Sequence, residues 1–363
     1  MSSLFGRELP VKSLLPYVGD ISQIARVRPY RGVEGHEDQL LCVDVITGSG
    51  FDFTVLPGRG MDISSARYNG RSLAWRSATG DQHPAFYDPQ GEGWLRSFAG
   101  GLLVTCGLTW MGAPCEDNGR SLGLHGRASH LPAYSVHWEG RWEGDRYDLI
   151  VSGKTRESIV FGENIELTRT IRTSLGANRL VIEDQVENVG FQTTPHMILY
   201  HCNIGFPLLD EHARFLAPSV LATPRDSDAE SGVAAWSSMQ TPTPGYRAQV
   251  FFHDLEPDAD GMVTTAMVND RAPEGAPRGA YVRYRAAELP CFTQWKMMNQ
   301  GAYVLGMEPG NARVMGRDVE RREGRLQHLE PGEMRRYHVE LGVLTEFADT
   351  SGLDAVNRRL HFG

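Results

Sequence analysis

"ENIELTRTIRTSLGANRLVIEDQVENVG", residues 163–190, decides the fold class. Ile165, Leu167 and Ile171 fall on odd positions with Arg169 between the last two, while Thr168, Thr170 and Arg172 lie opposite. Side chains along a strand alternate between two faces, so this spacing predicts a strand with one buried face. "LGANR" supplies the turn and "LVIEDQVEN" resumes the alternation, which makes the segment a hairpin whose two strands face a common core.

The same pattern of short alternating runs divided by Gly, Pro, Asn and Asp recurs at 40–75, 133–155, 279–286 and 336–344. Helical periodicity is weak, and helical turns are expected only near 11–25 and 352–360. Strands and helices do not alternate as they would around a nucleotide-binding parallel sheet. The Pro- and Gly-rich stretches 223–246 and 271–279 read as long loops rather than domain linkers. The expected fold is all-β: one large antiparallel β-sandwich spanning residues 1–363, with few short helices and with 1–25 as an extension packed on it.

The 363 residues are 41% hydrophobic, enough for an extensive core, and carry 36 Lys+Arg against 45 Asp+Glu for a net charge of -9. No basic block is present, so neither nucleic acid nor an anionic membrane is expected as a partner. The N-terminus lacks a basic start followed by an apolar stretch, which gives a cytoplasmic reading. Cys42, Cys106, Cys115, Cys202 and Cys291 are odd in number and form no CxxC pair, which favours reduced thiols over a disulfide framework or a structural zinc site.

Three islands combine turn glycines with acids, bases and aromatics. In the first, His125 stands between Gly123 and Gly126, with Arg127 and His130 close by. Glycines there let backbone and ligand approach closely, although a water-exposed turn histidine fits the spacing as well. The second is "TPHMILYHCNIGFPLLDE", residues 194–211. Period 2 puts Met197, Leu199, His201 and Asn203 on one face and His196, Ile198, Tyr200 and Cys202 on the other, so the two histidines face opposite ways. The third is "LPCFTQWKMMNQGAYVLGMEPGN", residues 289–311. Gln294 and Lys296 share a face with Phe292, Trp295 offers an aromatic plane, and Glu308 sits at a strand end where desolvation would raise its pKa toward that of a general base.

The order of a Gly-His-Gly island, a "TP…H…N…F" strand and a late "Q…GxE" strand resembles the aldose 1-epimerase (galactose mutarotase) superfamily, in particular its bacterial aldose-epimerase-like branch. That resemblance implies a large β-sandwich and makes His201 similar to the family's general acid, Glu308 to its general base and His125 to the histidine that binds the sugar near its ring oxygen. It further implies substrate-holding roles for Gln294, Asp210 and, in "LPGRGMDI", Arg59. The sequence departs from the family in the extra His196, in an Asn203 that follows His201 closely, in "EPGN" after the glutamate, and in the added charges of Arg127 and Lys296.

Mutarotation asks for a base at the anomeric hydroxyl and an acid at the ring oxygen, with neither metal nor other cofactor. On this reading Trp295 or Trp110 stacks on the sugar, and Arg59, Arg127 and Lys296 favour an anionic group on it. Alternatively, the arginines pair with Asp62, Glu116 or Asp117. Two other readings stay open: a non-catalytic carbohydrate-binding sandwich, and a sugar isomerase holding a divalent metal through His196, His201 and Glu308. The expected partner is a small-molecule sugar, and an exposed sheet edge leaves room for a homodimer.

Overall fold

The computed structural model describes residues 2–4, 7–9 and 11–346; the helical segment expected at 352–360 lies outside them. The deciding hairpin forms as read: strand Asn164–Ser174 pairs with strand Arg179–Asn188, with Leu167 opposite Val186 and Ile171 opposite Ile182. It lies within an eight-stranded sheet. A seven-stranded sheet contains Gln249–Leu255, Cys291–Asn299, Ala302–Gly310 and Thr194–Ile204, with Val104–Leu108 along the last. Five strands from Arg26–Arg31 to Arg71–Ser72 make a third sheet. Pairing between these strands is antiparallel throughout the described residues, as expected of a chain built from hairpins.

Helical structure is short. Among the described residues the two α-helices are Ser227–Glu230 and Arg317–Arg322, and the turns expected near 11–25 are the 3-10 segments Val11–Tyr17 and Ile21–Gln23. No helix among the described residues is long and apolar enough to cross a membrane.

The main core lies between the two large sheets, where Leu167, Ile171 and Ile182 meet Tyr200, Cys202, Phe292 and Met307. Arg169 is fully buried on this apolar face. It stands opposite Asp184 in the register and grips that carboxylate through Nε (2.8 Å) and Nη2 (2.6 Å). Nη1 donates to Thr105 Oγ1 (2.8 Å) and lies 3.6 Å from Asp62, and the Tyr200 hydroxyl donates to Asp184 (2.7 Å). One guanidinium thus ties together residues from all three sheets. The opposite face of the seven-stranded sheet carries a second apolar layer, in which Val104, Met197, Leu199, Val250 and Phe252 pack against Trp94, Phe98 and Trp110 from the covering loops.

Candidate active site

The site begins with strand register. Cys202 pairs with Met307 and Asn203 with Gly306, so one further step sets His201 across from Glu308. On the other side of the Glu308 strand, Thr293 lies opposite Glu308 and Trp295 opposite Gly306. Alternation then turns His201, Thr293, Trp295 and Glu308 to the same outer face of the sheet. Loops bearing Trp94, Phe98 and His125 fold over that face and enclose a cavity of about 380 Å³, a size typical of small-molecule sites.

His201 and Glu308 form its floor, with side chains 5% and 2% exposed. Nε2 of His201 lies 3.2 Å from Oε1 of Glu308, an approach whose alignment falls short of a hydrogen bond. Burial raises the Glu308 carboxyl to about 8, opposed only in part by the positive charge of Arg225. Burial also lowers the His201 imidazole to about 4, opposed by the Asn203 amide beside it. Gly306 makes room for the carboxylate: a Cβ there would come within 2.2 Å of Glu308 Oε1 and 3.1 Å of Trp295 Cβ.

His125 enters from a loop held tightly by its backbone. Its N–H donates to Gly112 O (2.9 Å) and its carbonyl accepts from Gly107 N–H (3.0 Å). Its φ of 57° is left-handed, and a Cβ on the following Gly126 would meet Trp110 O at 2.3 Å, so the turn tolerates only glycine there. The ring reaches the cavity beside Trp94, edge-on to His201 at 5.8 Å between centroids. Burial, then the neighbouring His201 and Arg225, lower it to about 3, which keeps it neutral. Among the residues lining this one cavity, His125 Nδ1, His201 Nδ1, Thr293 Oγ1 and Glu308 Oε1 are buried without a hydrogen-bond partner. Unsatisfied polar atoms are costly in a protein interior, and four in the lining of one cavity are what a polyhydroxylated ligand would satisfy.

Of the residues singled out from sequence, His125, His201, Trp295 and Glu308 come together around the cavity. The others lie outside its lining. Arg59 is buried behind it, holding the carbonyls of Ser97 and Ser129 and the His130 ring, and so braces the loops that carry Trp94 and His125. Gln294 and Lys296 do share the Phe292 face, but that face points into the sandwich. Gln294 bonds to His253 and to Trp236 O, and Lys296 to Ala235 O and Ser238 O. Arg127 is exposed. Asp210 accepts from Asn269 and from His212 N–H, Asn203 donates to Gly101 O and His201 O, and Trp110 is tied to Gly123 O beneath the loop. In this structure these seven side chains lie outside the cavity lining, most of them engaged by other parts of the protein.

His196 lies on the opposite face from His201, hydrogen-bonded between Leu108 O and the Tyr337 hydroxyl, so His196, His201 and Glu308 do not share a coordination site. Of the alternative acids, Asp117 pairs with Arg317 and Arg321, and Asp62 lies near Arg169. Among the cavity residues that sequence reading missed, Thr293 was within reach, since it shares the Trp295 face; Trp94 and Arg225 sit in segments without periodicity and gave no signal.

The fold is that of the galactose mutarotase-like β-sandwiches. A presumed aldose 1-epimerase from Klebsiella pneumoniae subsp. pneumoniae is 27% identical with a TM-score of 0.84, over 92% of this chain and 86% of that one. A galactose mutarotase-like protein from Clostridium acetobutylicum (12% identity, TM-score 0.60, 89% of this chain and 100% of that one) shares the fold. So does a galactose 1-epimerase from Lactobacillus acidophilus NCFM (11%, 0.54, 88% and 98%). No curated protein matches the chain significantly. The chain belongs to the family described as domain of unknown function DUF4432, whose model matches residues 39–343.

Proposed function

We propose that the protein is an isomerase that interconverts the anomers of an aldose by general acid–base ring opening. The observation that carries this reading is the His201–Glu308 pair, buried 3.2 Å apart on the floor of an aromatic-walled cavity. The presumed activity of the Klebsiella protein agrees with it.

The chemistry needs one proton on the pair. With Glu308 raised to about 8 and His201 lowered to about 4, the two together hold a single proton across the neutral range, whichever of them carries it. In the reacting form, the Glu308 carboxylate takes the proton of the anomeric hydroxyl while the His201 imidazolium gives one to the ring oxygen. The bond from C1 to the ring oxygen breaks and C1=O forms. Rotation about C1–C2 presents the other face of the aldehyde, the freed hydroxyl attacks it, and the two protons return. Neutral His125 and Thr293 hold hydroxyls of the ring, with Trp295 and Trp94 against its apolar face.

Saturation-transfer NMR of anomer exchange over a panel of neutral, deoxy and acidic aldoses tests this, with Glu308→Gln as control. Exchange that the protein accelerates and the variant does not supports the reading. Equal exchange in both removes Glu308 as the base.

A further inference from the structure

Arg225 is the only arginine or lysine that lines the cavity among the described residues. It comes from the loop after strand Ser219–Pro224, where its backbone N–H donates to Val250 O (2.9 Å). Its side chain is 34% exposed, against 5% and 2% for His201 and Glu308. The cation therefore stands at the open end of the cavity and the acid–base pair at the closed end. Asp226 fixes its pose, accepting at Oδ2 from Nε (2.8 Å) with Nη2 at 2.7 Å; neither contact engages Nη1. Asp226 is itself held, since its Oδ1 accepts from Ala229 N–H as the cap of helix Ser227–Glu230. A guanidinium oriented along one edge and open at the other is prepared for an oxyanion.

We propose that the substrate is an aldose bearing an anionic group, a carboxylate or a phosphate ester, at the end of the sugar remote from its anomeric carbon, and that Arg225 binds that group. This rests on the mutarotase reading for which end of the sugar reaches the floor. Arg59, Arg127 and Lys296, the cations that sequence alone would assign to such a group, lie outside the cavity lining. Glu92 also lines the cavity and is exposed, so its carboxylate is met by water as well as by ligand. Arg225 has a further effect at the floor: its charge lowers the Glu308 pKa that burial raises. An anion bound at Arg225 would offset that field, which couples occupancy of the open end to the proton held at the closed one.

The test compares anomer exchange of glucose, glucuronate and glucose 6-phosphate, and of galactose and galacturonate, in the native protein, Arg225→Met and Arg225→Lys. One charge-assisted contact predicts kcat/KM for an anionic sugar about 10–100-fold above that for its neutral parent. That ratio is expected to collapse in Arg225→Met and to survive in part in Arg225→Lys. The carboxylate and phosphate arms identify which anion is used. Equal or better exchange of the neutral parents, or a ratio unchanged in Arg225→Met, overturns the inference and leaves the mutarotase reading standing. If no sugar is exchanged, titration calorimetry with the same compounds decides. Tighter binding of an anionic sugar, lost in Arg225→Met, supports the anion subsite while the mutarotase reading fails; equal binding overturns the subsite.

Discussion

Glu308 and His201 face each other across adjacent antiparallel strands with Oε1 3.2 Å from Nε2. Both side chains are almost fully buried, and burial works on them in opposite senses: it discourages charge on each, raising the acid and lowering the base. A pair in contact in this way loses its protons in two steps that belong to the pair, and the interval between the steps is where exactly one proton remains.

Anomer exchange should therefore show a bell-shaped pH dependence with a broad top. Below about 4 the pair gains a second proton and the base is lost; above about 8 it loses its only proton and the acid is lost. Initial rates of exchange measured across that range check this. A single limb centred near an ordinary histidine value would place the catalytic proton on a different group.

Glu308→Gln should lower kcat by about 10²–10⁴-fold, the usual contribution of one positioned acid or base. Its effect on stability should have the opposite sign. The folded-state value of about 8 lies above the ordinary 4.5, so the stability that a protonated Glu308 contributes is fully present below 4.5 and is lost as pH rises through 8. Glutamine avoids that loss. Urea denaturation should find the variant increasingly more stable than the native protein between those limits, by several kcal/mol at the alkaline plateau. A difference that does not vary with pH would mean that Glu308 ionises as freely in the folded chain as in the unfolded one.

Much of this arrangement was legible in the sequence because strand periodicity carries it. The alternation in 163–190 gave the hairpin, and the same rule separated His196 from His201 and grouped Gln294 with Lys296. Periodicity defines faces without saying which face meets the partner sheet. Thr293 and Gln294 are polar neighbours on opposite faces, and only packing against Trp236 and His253 shows that the Gln294 face is internal. Arg59 and Arg225 were beyond the rule altogether. Each belongs to a segment whose side-chain direction depends on loops distant in sequence, and no local pattern distinguishes a guanidinium that braces those loops from one that lines the cavity between them.

Gly306→Ala tests how closely the base is positioned. The added methyl would fall 2.2 Å from Glu308 Oε1, while the position lies within a regular strand that accepts alanine. The carboxylate must move, and displacements of about 1 Å in a reacting group cost on the order of 10²-fold in rate. We expect such a fall in kcat, with unfolding and circular dichroism close to native. Retention of full activity would show that Glu308 reacts from another rotamer.

Arg169 and Asp184 are read differently by stability than by geometry alone. Removing one partner of a buried ion pair commonly costs about 3–5 kcal/mol, and replacing both with apolar groups is often neutral. Here the second expectation should fail. Tyr200 donates its hydroxyl to Asp184, Thr105 accepts from Arg169, and Asp62, raised to about 6 by burial, has the Arg169 charge as its largest compensation. Arg169→Met should lose about 3–5 kcal/mol in urea denaturation. The double variant Arg169→Met, Asp184→Leu should remain destabilised by about 1–3 kcal/mol for each group left unpaired. Adding Tyr200→Phe and Thr105→Val should recover part of that loss. If the double variant alone returned to native stability, the pair would be an isolated bridge and not the joint between the sheets.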